Sequence, residues 1–300
     1  KNRLIVYTQG RRSPRSEYTS DGRGSYQTIP LVVLVDEVSA SSSEIFTAAI
    51  QDNDRGIIIG RRTFGKGLVQ EPIQFPDGSM LRLTIARYYS PSGRCLQKPY
   101  VKGNDYDYQM DLLKRAEHGE YFSQDSIHQD GKRYKTRIGR IVYGGGGVTP
   151  DFFIPADTIG TTSYFQDALY KGLLAQFAFI YVDNNRDKLG EAEDWKALSQ
   201  YLDKQKLPEK FASFAAENGL KRRNLMLRKS YSLFKNFIIA YIINDFYGEE
   251  QNIMYTNLDD PCMLKAKEVF EKGEAFPKKP QQAGNTDKTS KAAKQTPKQK

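Results

Sequence analysis

Two short, continuous apolar runs with a helical stretch between them constrain this chain most. Residues 31–35 (LVVLV) and 56–60 (GIIIG) have strand length and no alternating polar face, so both read as buried strands. Between them, EIFTAAIQDN carries Ile45, Ala48 and Ala49 at positions that suit a helix. Further on, LVQEPIQF and MLRLTIARYY flank Pro76, Asp77, Gly78 and Ser79, which is good turn chemistry for a hairpin. Strand, helix, strand and hairpin in that order predict an α/β unit over residues 28–97.

The turns of this unit carry the chemistry. SASSSE (residues 39–44) falls where the first strand passes into the helix. A serine there sits beside free backbone N–H groups and the positive end of the helix dipole, where a developing oxyanion is stabilised. Ser41 and Glu44 also make S-x-x-E, a capping box, and this explains a serine before a helix without any catalysis. TFGKGLVQ (residues 63–70) follows the second strand and sets Lys66 between Gly65 and Gly67, where the backbone can bend and approach closely. The two turns therefore offer a candidate nucleophile and a candidate base on neighbouring elements. Histidine is nearly absent: His118 and His128 both lie in a polar segment far from the serines, so a Ser-His-Asp triad is poorly supplied. A lysine base must be neutral, whereas free lysine titrates at about 10.4. It needs desolvation, and Phe64, Leu68 and Val69 beside Lys66 suit an apolar pocket.

SASSSE, FGKG and Gln70 together resemble the C-terminal processing (tail-specific) serine peptidases. QDNDRGIIIGRRTFGKG, PDGSMLRLTIARYYSPSGR and GGGGVTPD add further matches in the same order, so the resemblance covers roughly residues 28–155. It implies Ser41 as nucleophile, Lys66 as its base, Gln70 holding Lys66, and the Ser42 N–H as half of an oxyanion hole. Gln70 is neutral and would orient the amine without favouring the ammonium form. The separation of Ser41 and Lys66 fits the family pattern. The resemblance further implies a ClpP/crotonase-like α/β core, present here in part, and peptide hydrolysis through an acyl-enzyme. Polypeptide C-termini would be the substrates, a PDZ domain would lie upstream of Lys1, and the bacterial envelope, the periplasm above all, would be the location. No metal or cofactor is implied, and no Cys, His or carboxylate cluster argues for one. A homo-oligomer is left open. The alternative on the same fold is a non-catalytic peptide-binding scaffold, which would have no use for Ser41, Lys66 and Gln70.

Composition narrows the rest. Two cysteines, Cys95 and Cys262, are too few for a disulfide scaffold. The net charge of +9 suggests nucleic acid until it is located: the segment from 277 to 300 holds most of it, and the remainder is nearly balanced. Nucleic acid is therefore not expected as a partner. Residues 1–159 are expected to form the protease core, with 98–140 as an inserted excursion that has one short helix around Met110, Leu113 and Ala116. The basic run KRYKTRIGR within it reads as a solvated hairpin arm, and Gly144 to Gly147 as a tightly packed return to the sheet. Residues 160–276 are expected to form a helical domain. Phe165, Leu169, Leu173, Phe177 and Ile180 recur at helical spacing, Trp195, Leu198 and Leu202 share a face, and LFKNFIIAYIINDFYG reads as a core helix. Residues 277–300, basic and without apolar residues, are expected to be disordered.

Overall fold

The computed structural model describes residues 1–101, 103–127 and 131–280. The expected disorder of the tail falls almost wholly on residues 281–300, which lie outside the described residues, as does His128. In chain order the first part holds β1 (Leu4–Gln9), β2 (Ser16–Thr19), β3 (Val32–Val35), α1 (Ser42–Asp52), β4 (Ile57–Gly60), β5 (Leu68–Gln74) and β6 (Met80–Tyr89). Next come α2 (Asp105–Gln109), α3 (Asp111–Glu117), β7 (Arg133–Lys135), β8 (Ile141–Tyr143) and β9 (Phe152–Phe153). The helical part runs through α4 (Ser163–Tyr170), α5 (Leu173–Leu189), α6 (Trp195–Asp203), α7 (Leu207–Glu217), α8 (Asn224–Lys229), α9 (Tyr231–Tyr247), α10 (Glu249–Thr256) and α11 (Pro261–Glu271). No described helix is long and apolar enough to cross a membrane.

The predicted α/β unit is present. β3, β4 and β9 form a parallel sheet in that order, with α1 crossing from β3 to β4. β4 is buried throughout, as its apolar run requires. β3 is not: it is an edge strand of the described sheet, and Leu34 is 37% exposed. A continuous apolar run does not by itself distinguish a central strand from an edge one. The predicted hairpin pairs β5 with β6, and a second antiparallel sheet has the order β2-β1-β6-β5.

The excursion contains two short helices rather than one, and the expected hairpin arm is formed by β7 and β8, with Lys132, Arg133, Lys135 and Arg137 exposed. Some of its other charged residues turn inward. Arg115 donates to the backbone carbonyls of Arg62 and Thr63 and pairs with Glu120, which also holds Arg62. The basic run KRYKTRIGR is anchored too: Arg140 pairs with both Asp54 and Asp151. Gly144 to Gly147 does pack tightly. Gly147 has φ 81°, and a Cβ there would lie 2.6 Å from the Thr63 carbonyl oxygen, so a side chain has no room.

The helical part has one large apolar core in which Tyr164, Phe211, Phe234, Leu198, Ile238 and Ile242 are all fully buried. The helical spacing read through residues 165–180 breaks in the middle. Gly172, in the left-handed region at φ 67°, separates α4 from α5, and the change of phase leaves Leu169 and Ile180 exposed. α11 covers the parallel sheet, where Ala266 and Val269 pack with Ile57 and Ile59 and Cys262 lies against them. Both cysteines are free.

Candidate active site

The turn between β3 and α1 is built on Asp36. Its carboxylate accepts the N–H groups of Val38 and Ser39 and the Ser39 hydroxyl, so Ser39 is a structural hydroxyl. Ser41 follows with φ 58° and ψ −118°. N-cap residues ordinarily take extended dihedrals, and a non-glycine residue at positive φ is held there against strain. Capping therefore accounts for the Glu44 contact and not for this backbone conformation. A strained serine exposed between a strand and a helix is the geometry of a nucleophile elbow. The carbonyls of Ala40 and Ser41 accept the N–H groups of Ser43, Glu44 and Ile45. Among the described residues no partner meets the Ser42 N–H, the first of the helix.

The second turn reaches the first through one side chain. Glu44 is fully buried, and each of its carboxylate oxygens accepts twice. Oε2 takes the backbone N–H of Ser41 at 3.0 Å and of Lys66 at 2.7 Å. Oε1 takes the Gly65 N–H at 2.7 Å and the Thr63 hydroxyl. Burial pushes the Glu44 carboxyl above its usual range, and the bonds from Thr63, Lys66, Gly65 and Ser41 oppose that shift. The Phe64 N–H donates to the Ser39 carbonyl at 3.0 Å, a second tie between the two turns. From the other side, Gly67 donates to Gln97 Oε1 at 2.9 Å and Gly65 accepts from the Lys98 N–H at 2.9 Å.

The backbones of Ser41 and Lys66 are thus brought together, while the side chains of Lys66 and Gln70 are exposed. The apolar pocket expected around Lys66 is not formed by its sequence neighbours. The ring of Phe64 faces another lysine instead: Lys98 Nζ sits 3.9 Å from its centroid and 4.2 Å from that of Tyr108. Lys98 is 4% exposed, and burial lowers its pKa against the opposing pull of Asp111. Gln70 meets Thr84 at 3.4 Å rather than Lys66. Sequence reading missed the wider part of Glu44, whose place in S-x-x-E announced only a cap, and it missed Thr63, Gln97, Lys98 and Arg115. Their positions are spread along the chain without a local pattern, so only the glutamate carried a signal.

Residues 1–109 match the model of Peptidase family S41, and residues 164–248 match a family of unknown function, DUF8443. A chloroplastic C-terminal processing peptidase of Tetradesmus obliquus is 44% identical over 95 residues, 32% of this chain and 20% of that protein. A carboxyl-terminal-processing protease of Synechocystis is 40% identical over 94 residues, 31% of this chain and 22% of that one. The aligned segment is therefore about a fifth of the length of these relatives. The photosystem II D1 C-terminal processing protease superposes on 51% of this chain and 28% of its own, at 27% identity and a TM-score of 0.34, too low to carry a fold argument. The N-terminal part of the chain is thus similar to Peptidase family S41 over residues 1–109.

Proposed function

We propose that this chain carries the Ser-Lys site of a serine peptidase that cleaves polypeptides near their C-termini through an acyl-enzyme. The observation that carries the reading is the shared carboxylate oxygen: Glu44 Oε2 accepts from the N–H groups of both Ser41 and Lys66, so the nucleophile turn and the base turn move as one body. Ser41 Oγ attacks the scissile carbonyl carbon, and its proton passes to a neutral Lys66 amine. The Ser42 N–H, free at the head of α1, donates to the oxyanion. Collapse of the tetrahedral intermediate breaks the C–N bond, and the leaving amine takes the proton from Lys66. Water, deprotonated by Lys66, then releases the acyl group and restores Ser41. Gln70 is assigned to orienting that amine.

The α/β part is read as a partial ClpP/crotonase-like core, and the helices as a separate domain. A PDZ domain upstream and a bacterial envelope location are part of the same proposal. In the full-length gene product, Ser41→Ala should abolish hydrolysis of an unfolded polypeptide. Loss of a cap costs roughly 0.5–2 kcal/mol, so the fold should survive. Unchanged hydrolysis would reduce Ser41 to a cap and put the nucleophile elsewhere.

A further inference from the structure

The parallel sheet opens at the carboxyl ends of its strands into a cavity of about 460 Å³. Asp36 after β3, Arg61 after β4 and Ile154 after β9 line it, together with Ser39, two residues before Ser41. Openings of this kind are where parallel α/β sheets hold ligands. At its far end stand Asp157 and Asp260, and both also line a second cavity of about 480 Å³ between α9, α10 and the start of α11. The two cavities share this pair of carboxylates in their lining and so lie side by side, the first of them bordered by Ser39.

The second cavity has one kind of chemistry. Phe237, Tyr241 and Tyr255 give it aromatic walls, and Asp157, Asp259 and Asp260 are its charged lining residues. No lysine, arginine or histidine among the described residues lines it. In the first cavity the one cation, Arg61, is taken by Glu37 at 2.5 Å. Asn252 also lines the second cavity, and its Oδ1 is buried with no donor among the described residues. Aromatic side chains attract cations, and a cleft of one sign concentrates the opposite charge. The Tyr255 phenol, pushed up to about 12 by burial and then by Asp203 and Asp259, stays protonated and adds no charge of its own. α9 accounts for the shape. Ile238, Ile239, Ile242 and Ile243 fill the helical core, while Phe237 and Tyr241 pack against its margin and line this space.

Resting on the peptidase reading, we propose that these two cavities form an extended substrate site in which the aromatic cavity receives a lysine or arginine side chain of the polypeptide lying along Asp36 and Ser39. The test uses binding, not turnover, in the 300-residue chain carrying Ser41→Ala. Trp195 is the only tryptophan, and its ring meets that of Tyr255 edge-on at 6.5 Å, so its emission reports on the cavity. Blocked alanine pentapeptides with a central lysine, arginine or norleucine are the probes. Lysine and arginine peptides should shift Trp195 emission and bind about tenfold tighter than the norleucine peptide. That preference should vanish in the double variant Asp157→Asn, Asp259→Asn, whose two sites are exposed and whose fold is checked by circular dichroism. Equal binding of norleucine, a preference that survives the double variant, or n-butylammonium binding as tightly as the lysine peptide would each overturn the proposal. A lost preference leaves Ser41 chemistry standing, and lost turnover in the full-length gene product leaves the binding preference standing, so the two readings fail separately.

Discussion

Around the Ser41 and Lys66 turns the buried groups include many that are polar or charged: Glu44, Thr63, Lys98, Arg115 and Glu120 are all buried. From α4 to α9 the buried side chains are apolar, and Ser230, between α8 and α9, is the buried polar exception among the described residues. Its hydroxyl meets Thr162 and the Gly160 carbonyl. The two regions solve different problems. Apolar burial supplies stability in proportion to area. A buried ion pair returns little net stability, because desolvation cancels most of the attraction. What Arg62–Glu120–Arg115 and Glu44 deliver is position: each fixes a backbone carbonyl or N–H of residues 61–67. One region holds the fold, and the other holds two turns against each other.

The largest expected effect tests the helical side. Phe234 is fully buried against Tyr164, Phe165 and Phe211. Phe234→Ala should cost about 3–5 kcal/mol, read from urea unfolding followed by Trp195 emission, and should spare the geometry of the Ser41 turn. Loss of turnover under conditions where the variant remains folded would break the comparison.

Glu44→Gln sharpens it from the other side. An amide has one acceptor oxygen, so its NH₂ must face either the Ser41 and Lys66 N–H groups or the Gly65 N–H and the Thr63 hydroxyl. Each group left unmet costs about 1–3 kcal/mol, so a stability loss of that order is expected. Turnover should fall by about 10²-fold or more, since small misplacements of reacting groups cost that much. A stable variant with unchanged turnover would show that the shared carboxylate is only a helix cap.

The smallest effect concerns Lys98, whose pKa burial holds below the ordinary 10.5. A lysine lowered on folding contributes stability that is complete above its ordinary pKa and is lost as pH falls through the lowered value. Measured against Lys98→Met, the wild-type chain should therefore gain relative stability as the pH rises from neutral towards 10.5. A relative gain on lowering the pH would mean that Asp111, not burial, sets the charge of this lysine.

These regions also differed in how much the sequence disclosed. Helical periodicity located the helices, because an apolar face recurs locally, but it ran across Gly172, where a left-handed residue resets the phase. The strand runs at 31–35 and 56–60 were legible as strands, and their burial differed because edge or centre depends on which neighbours pair. Motifs pointed to Ser41 and Lys66, while the bond between their turns runs through Glu44, which local spacing explained completely as a cap. Arg115, Gln97 and Lys98 lie in a segment that reads as polar surface. Their burial follows from where α2 and α3 fold back, and no local pattern records it.

The central claim is that the Glu44 clamp makes Ser41 and Lys66 a single reacting unit. Groups that act together lose function non-additively, so a double-mutant cycle in the full-length gene product is the direct test. Polypeptide hydrolysis should fall as far with Ser41→Ala alone, or with Lys66→Ala alone, as with both. Losses that multiply, so that the double variant is slower by the product of the two single effects, would mean that Ser41 and Lys66 act independently and would contradict the account.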